Sequence, residues 1–172
     1  ADTYSNSLAS ATILALGGND KITNTGASVS IDGGLGNDSI MNDGSNSTIN
    51  TGDGDDSIWN TNHIGNGNES SINVGDGNDI IHNFGDEVTI IGGKGDDSIG
   101  NNYYLDTGNK FNDTAGKNVL FQYTAGDGND FIGGFRADST LQIGNGTTDT
   151  YSKSTVGSDI LVFVDSGVVL LP

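Results

Sequence analysis

Six aspartates, Asp20, Asp38, Asp56, Asp79, Asp97 and Asp130, each end a glycine-rich run, and they recur at spacings of 18, 18, 23, 18 and 33 residues. A carboxylate behind a loop of glycines offers hard oxygen ligands, its own and those of the main-chain carbonyls. Calcium takes six to eight such oxygens at flexible geometry. If the repeats stack, like charges about 5 Å apart repel by roughly 1 kcal/mol in water and about 3 kcal/mol at an effective dielectric of 20, and a divalent cation between them turns that penalty into a bond. One such run alone reads as a turn, because glycine and aspartate make good turns. Six in register at a period of 18 point to a metal-binding solenoid.

Aligning the chain on these aspartates exposes the elements that must position them. Glycine stands two residues before the marker at Gly18, Gly36, Gly54, Gly77, Gly95 and Gly128, and four before it at Gly34, Gly52, Gly75, Gly93 and Gly126. A tight loop with positive φ would require this. Two residues after the marker comes an isoleucine, Ile22, Ile40, Ile58, Ile81, Ile99 or Ile132, as the inward side chain of a short strand. Four after it lies an asparagine, Asn24, Asn42, Asn60, Asn83 or Asn101, forming the opposite turn. Seven before it lies the return strand's inward residue, Ile13, Ile31, Ile49, Ile72, Ile90 and finally Tyr123.

One coil is therefore loop, strand, asparagine turn and strand. Parallel stacking at about 4.8 Å pairs each strand with the coils above and below. Two isoleucine ladders then face each other, each buried side chain contributing about 1.5 to 3 kcal/mol, and the asparagines form an amide ladder. The expected fold is all-β, a parallel β-roll or β-solenoid with about 18 residues per coil. Residues 13–135 form the roll, with insertions near 61–68 and 101–118, the second read as a packed loop. Residues 1–12 show no repeat register and read as a cap, a linker or an inter-subunit strand. The first repeat, from Ile13 to Asn24, has Leu16 in place of its first glycine, as terminal repeats often depart from the pattern. Residues 136–172 form a C-terminal cap, with a β-hairpin from Asp159 to Leu171.

Composition narrows the partners. A net charge of -17 with six lysines and arginines weighs against nucleic acid and anionic membranes. No apolar run reaches the roughly 18 residues of a membrane helix, so membrane insertion is not expected. With no cysteine among 172 residues, neither disulfides nor thiolate metal sites hold the fold. The 28 glycines carry a large entropy cost on ordering, which backbone hydrogen bonding, a narrow core and bound cations must offset. No signal peptide stands at Ala1, and the chain reads as a mature or excised piece.

Gly33-Gly34-Leu35-Gly36-Asn37-Asp38-Ser39-Ile40 and Gly92-Gly93-Lys94-Gly95-Asp96-Asp97-Ser98-Ile99 resemble the glycine-aspartate nonapeptide of the repeats-in-toxin, or hemolysin-type calcium-binding, family. The resemblance covers about residues 15 to 135, and the stretch from Asp130 to Ile143 resembles the segment that closes such domains. It implies a right-handed parallel β-roll, several calcium ions held between successive loops by aspartate carboxylates and main-chain carbonyls, and an extracellular or cell-surface location, often reached through type I secretion. Family members usually repeat the motif every nine residues, whereas alternate nonapeptides here have become asparagine turns. Calcium is therefore expected along one rim only, at Asp20, Asp38, Asp56, Asp79, Asp97 and Asp130 with the loop glycines Gly34, Gly36, Gly52, Gly54, Gly75, Gly77, Gly93 and Gly95.

No enzymatic activity is expected: neither Gly-x-Ser-x-Gly nor His-Glu-x-x-His occurs. His63 and His82 lack a third ligand at a recognisable spacing and read as solvent-facing, while Trp59 and Met41 read as an exposed face or a lateral contact. The leading expectation is a secreted, calcium-stabilised structural protein or module of the bacterial cell surface or matrix, folding when calcium binds. A sharper version has residues 1–11 pairing with another copy's C-terminal hairpin to build a head-to-tail filament. The alternatives are the calcium-binding and secretion module of a larger secreted enzyme or toxin, and an adhesin module of unidentified glycan or protein ligand.

Overall fold

The structure is a computed structural model that describes residues 1–61, 69–101, 103–104, 109–110, 116–124, 126–144, 151–156, 159–164 and 167–171, and side chains over 1–61, 69–101, 116–124 and 126–144. The chain shuttles between two sheets, one short strand at a time. Its elements are β1 (Thr3–Asn6), β2 (Thr12–Leu14), β3 (Lys21–Asn24), β4 (Ser30–Leu35), β5 (Ser39–Asn42), β6 (Thr48–Asp53) and β7 (Ser57–Asn60). There follow β8 (Ser71–Asp76), β9 (Ile80–Asn83), β10 (Thr89–Ile91), β11 (Ser98–Asn101), β12 (Tyr103–Tyr104), β13 (Asn109–Lys110) and β14 (Leu120–Tyr123). The C-terminal part holds β15 (Asn129–Gly133), β16 (Thr140–Ile143), β17 (Tyr151–Val156), β18 (Asp159–Val164) and β19 (Gly167–Leu171).

One sheet runs β1-β3-β5-β7-β9-β11-β15-β19-β18-β17 and the other β16-β14-β10-β8-β6-β4-β2, so alternate strands stack and all-β parallel solenoid architecture results. Residues at the same column face one another through the stack: Ile22, Ile40, Ile58, Ile81, Ile99 and Ile132 fall in one register, and Ile13, Ile31, Ile49, Ile72 and Ile90 in the other. The two files are buried between the sheets and form the hydrophobic core. Close stacking explains the glycine columns. A Cβ on Gly52 would sit 1.9 Å from the Gly34 carbonyl oxygen, and one on Gly95 would sit 1.7 Å from that of Gly77.

Several features differ from the sequence reading. Residues 1–11 are in register: Thr3, Tyr4, Ser5 and Asn6 pair with Lys21, Ile22, Thr23 and Asn24, so Asp2-Thr3-Tyr4-Ser5-Asn6 is a repeat whose isoleucine has become tyrosine. At the far end it is Phe121, not Tyr123, that stacks on Ile90. Two extra residues between Phe121 and Asp130 are the reason. Tyr123 still faces inward, at 2% exposure, and pairs with Ile143 of β16. The C-terminal hairpin β18–β19 is joined by β17 into an antiparallel meander, with β19 parallel to β15.

A further inward column, Val29, Ser47, Ser70, Val88 and Val119, supplements the core. Beside it the turn residues Ser10, Ser28, Asn46, Glu69, Glu87 and Asn118 adopt left-handed φ of 52 to 59°. The insertion near 61–68 lies mostly outside the described residues, as does His63. Within 101–118, β12 and β13 pair antiparallel, and the rest of the insertion up to residue 115 lies largely outside the description.

Candidate metal centre

The aspartates sit where each loop turns into the following strand, and the stack brings them into one file inside the rim. Asp20, Asp38, Asp56, Asp79 and Asp97 are 1 to 2% exposed and Asp130 is 6% exposed. One carboxylate oxygen in each rung is used structurally. The Asp20 N–H donates to Asp38 Oδ1 at 2.8 Å, Asp38 to Asp56 at 2.7 Å, Asp56 to Asp79 at 2.7 Å, Asp79 to Asp97 at 2.8 Å and Asp97 to Asp130 at 3.1 Å.

The second oxygen has nothing. Oδ2 of Asp20, Asp38, Asp56, Asp79 and Asp97 is buried and accepts no hydrogen bond. Burial of an acceptor-only ion without a counter-charge is costly, and it drives the group toward its neutral form. Desolvation raises the carboxyl pKa of Asp38 and Asp56 above its ordinary value. It carries Asp97 to about 6, Asp79 to about 7 and Asp130 to about 8, with the neighbouring carboxylates adding to the rise against the lowering effect of the N–H bonds.

The residues fit a hard cation. The space a Cβ would take at Gly33 lies 2.3 Å from Asp38 Oδ2 and 2.7 Å from the Thr51 carbonyl oxygen of the next coil. At Gly92 the same space lies 2.5 Å from Asp97 Oδ2 and 3.6 Å from Asp130 Oδ2. The absence of a side chain at these glycines leaves the carboxylate and carbonyl oxygens facing one open place, and hard oxygens of this kind are the ligands that calcium takes. No group of three or more His, Cys, Asp or Glu converges among the described residues. Any ion would therefore be held by carboxylates of adjacent rungs together with main-chain carbonyls.

The structure places Gly34, Gly52, Gly75 and Gly93 in one file and Gly36, Gly54, Gly77 and Gly95 in another, all at positive φ, shaping the rim around these oxygens. The position five before the marker, occupied by Gly33, Thr51, Val74 and Gly92, is the one that sequence reasoning left out. The doubled glycine of the two full motifs is its signal. Thr51 fills this position with a hydroxyl that donates to Val74 O at 2.6 Å and lies beside the Asp56 carboxyl. Gly126 of the last loop has nothing within reach of its missing Cβ and so leaves its file, while Gly128 stays in its own, its missing Cβ 1.9 Å from the Gly95 carbonyl oxygen.

The outer rim residues Asn37, Asp55, Asn78, Asp96 and Asn129 form a ladder of opposite direction. Each main-chain N–H donates to the side-chain oxygen of the preceding coil, as from Asn78 to Asp55 at 2.9 Å and from Asp96 to Asn78 at 2.9 Å.

His82 is 7% exposed, against the solvent-facing reading, because the Trp59 ring packs on it with centroids 4.2 Å apart and Phe84 lies behind Trp59 at 6.1 Å. Met41 is 48% exposed. No helix is long and apolar enough to cross a membrane among the described residues.

A scan against protein families finds no match to this chain, and neither does a search of curated proteins. Among solved structures it is similar to the extracellular lipase LipA from Serratia marcescens, at 16% identity and a TM-score of 0.51. The match covers 99% of this chain and 36% of the lipase, so the chain spans about a third of that protein, and the likeness shows a shared fold.

Proposed function

We propose that the chain is a calcium-stabilised, non-enzymatic structural module of a secreted protein, acting at the cell surface or in the extracellular matrix. The observation that carries this reading is the row of five buried carboxylate oxygens without a hydrogen bond along one rim. Protons or metal ions must neutralise them, and millimolar calcium outside the cell supplies the second. Where calcium is scarce the acidic chain stays unfolded, and where it is abundant metal binding becomes folding free energy. The residues that would hold it are Asp20, Asp38, Asp56, Asp79, Asp97 and Asp130, with loop carbonyls such as that of Thr51.

The test is a chelator titration followed by far-UV circular dichroism. The β signal should vanish in excess EGTA and return with calcium but not with an equal concentration of magnesium, which demands a rigid octahedral shell. A β signal untouched by EGTA would defeat the reading.

A second reading, a module of a larger secreted enzyme, has one observation in its favour: the lipase that shares the fold devotes only 36% of its length to the matched part. The gene product would then encode a catalytic domain outside residues 1–172, which sequencing the flanking gene decides.

A further inference from the structure

We propose that Tyr4, Leu8 and Leu16 close the N-terminal end of the stack, so that no further coil can be laid on it in register, whether from a second copy or from another repeat joined to Ala1.

Coils approach one another closely because three turn columns hold glycine; one of them keeps its glycine in the first coil, at Gly18, and the other two do not. On the aspartate rim, a Cβ on Gly34, Gly52, Gly75 or Gly93 would lie 1.9 to 2.1 Å from the carbonyl oxygen of Leu16, Gly34, Gly52 or Gly75 respectively. On the asparagine rim, a Cβ on Gly26 or Gly44 would lie 2.1 or 2.0 Å from that of Leu8 or Gly26. In every case the colliding oxygen belongs to the coil on the N-terminal side. At both columns, therefore, the bond to a Cβ points toward the start of the chain.

The first coil breaks both columns. Leu16 stands where Gly34 and Gly52 stand, at φ 72°. Leu8 stands where Gly26 and Gly44 stand, and its turn is the same. The Leu8 N–H donates to Asn6 Oδ1 at 3.1 Å and its carbonyl accepts from Asn6 Nδ2 at 2.9 Å, as Gly26 does around Asn24 at 3.1 and 2.9 Å. Each leucine thus projects its Cβ into the place where a preceding coil's carbonyl oxygen would be. Their side chains are 72% and 78% exposed, as groups standing off an end must be.

Between them Tyr4 replaces the isoleucine of its column and lays its ring against the end of the core. Backbone complementarity would otherwise invite growth, because β1 and β2 are the outermost strands of their sheets at this end. The block is steric, and it stands at both rims.

The test adds a coil. A copy of residues 21–38 replaces Ala1 and Asp2, so that the copied Asp38 enters the position of Asp2 in phase, and amide hydrogen exchange is read at saturating calcium. With the native leucines the added segment should exchange as a free tail. With Tyr4→Ile, Leu8→Gly and Leu16→Gly it should slow by roughly tenfold or more as a paired strand. Leu8→Ala with Leu16→Ala should leave it free, because a Cβ alone is enough to collide.

Amides of Ile22, Ile40 and Ile58 report that the parent stack is intact. Protection of the added coil behind native leucines would overturn the proposal, a result that needs no variant to fold. So would protection in the alanine pair, or a free tail in the glycine variant with the parent amides still protected.

Discussion

The two rims of this solenoid bury one polar side chain per coil and satisfy it in opposite ways. On one rim Asn6, Asn24, Asn42, Asn60, Asn83 and Asn101 pass a hydrogen bond from Nδ2 to the next Oδ1 at 2.8 to 3.0 Å. Asn24, Asn42 and Asn83 also donate Nδ2 to the carbonyl two residues on, and Oδ1 accepts the N–H of the same glycine. An amide is both donor and acceptor, so this rim closes on itself. A carboxylate only accepts. On the other rim one oxygen takes the neighbour's N–H and the second is left bare. The asparagine rim is complete as protein, whereas the aspartate rim leaves a buried acceptor that a proton or a cation has to fill.

The strongest way to break the comparison is to remove calcium above about pH 8, beyond the values near 6, 7 and 8 to which burial raises Asp97, Asp79 and Asp130. Repulsion and desolvation along one whole edge should then unfold the chain, and exchange protection should be lost at Asp38 and Asp56 no later than at Asn42 and Asn60. An aspartate rim that keeps its protection in EGTA would make the rims equivalent.

Next comes the rim expected not to care about metal. Asn42→Ala removes the Nδ2 that donates to Asn60 Oδ1 and the Oδ1 that accepts from Asn24 Nδ2 and the Gly44 N–H, while the Gly44 carbonyl keeps the Ser47 hydroxyl as donor at 3.2 Å. At about 1 to 3 kcal/mol for a buried group left unsatisfied, the loss should come to about 2 to 4 kcal/mol. It should appear as a lower urea midpoint in calcium, with an unchanged number of bound ions by calorimetry. A lost ion would tie the asparagine rim to the metal.

What could be read from the sequence follows the same division. The period, the glycine columns, the asparagine file and the aspartate file were all visible, because each column demands one residue type: only glycine tolerates the approach of the coil before it, and an asparagine amide offers two donor hydrogens and an acceptor at once. Where a column accepts a substitute at the end of the stack, the pattern dissolves. Asp2 to Asn6 escaped notice because Tyr4 stands for isoleucine and Leu8 for glycine. Phe121 was passed over for Tyr123 because the last loop gained two residues, which shifts the count without disturbing the pairing. His82 looked exposed because its column faces outward, yet the Trp59 ring one coil away packs on it. The unpaired Oδ2 was beyond reach, since spacing alone does not tell which oxygen of a carboxylate the neighbouring N–H takes.

A proton sharpens the comparison where metal is absent. Asp97, Asp79 and Asp130 titrate at about 6, 7 and 8 in the folded chain, above the ordinary 3.8. The folded state therefore binds more protons than the unfolded state between about pH 4 and 8. Stability of the metal-free chain should rise as pH falls through that window and be lowest above it. Calcium competes with those protons, so its stabilising effect should run the other way, greatest above about pH 8 and shrinking toward pH 5. The β signal in EGTA, which should return as pH falls from about 8 toward 5, and urea midpoints in calcium over the same range measure both slopes, and slopes of the same sign would refute the competition.

The smallest expected change converts one rung to the other rim's chemistry. In Asp56→Asn the retained Oδ1 can still accept the Asp38 N–H, as Asp56 Oδ1 does at 2.7 Å. The buried and unbonded Oδ2 is replaced by an NH2 group, which removes a desolvated charge between Asp38 and Asp79 and supplies donors that the Val74 carbonyl or the Asp79 carboxylate can take. In EGTA the variant should recover its β signal at a higher pH than the native chain as pH is lowered from about 8, a gain of about 1 kcal/mol. In calcium it should be less stable, because a carboxylate ligand has been lost to the ions on either side. The two effects have opposite signs only if the rung is held by a cation rather than by its own hydrogen bonds. A loss of stability in both conditions would mean that the aspartate rim, like the asparagine rim, is complete without metal.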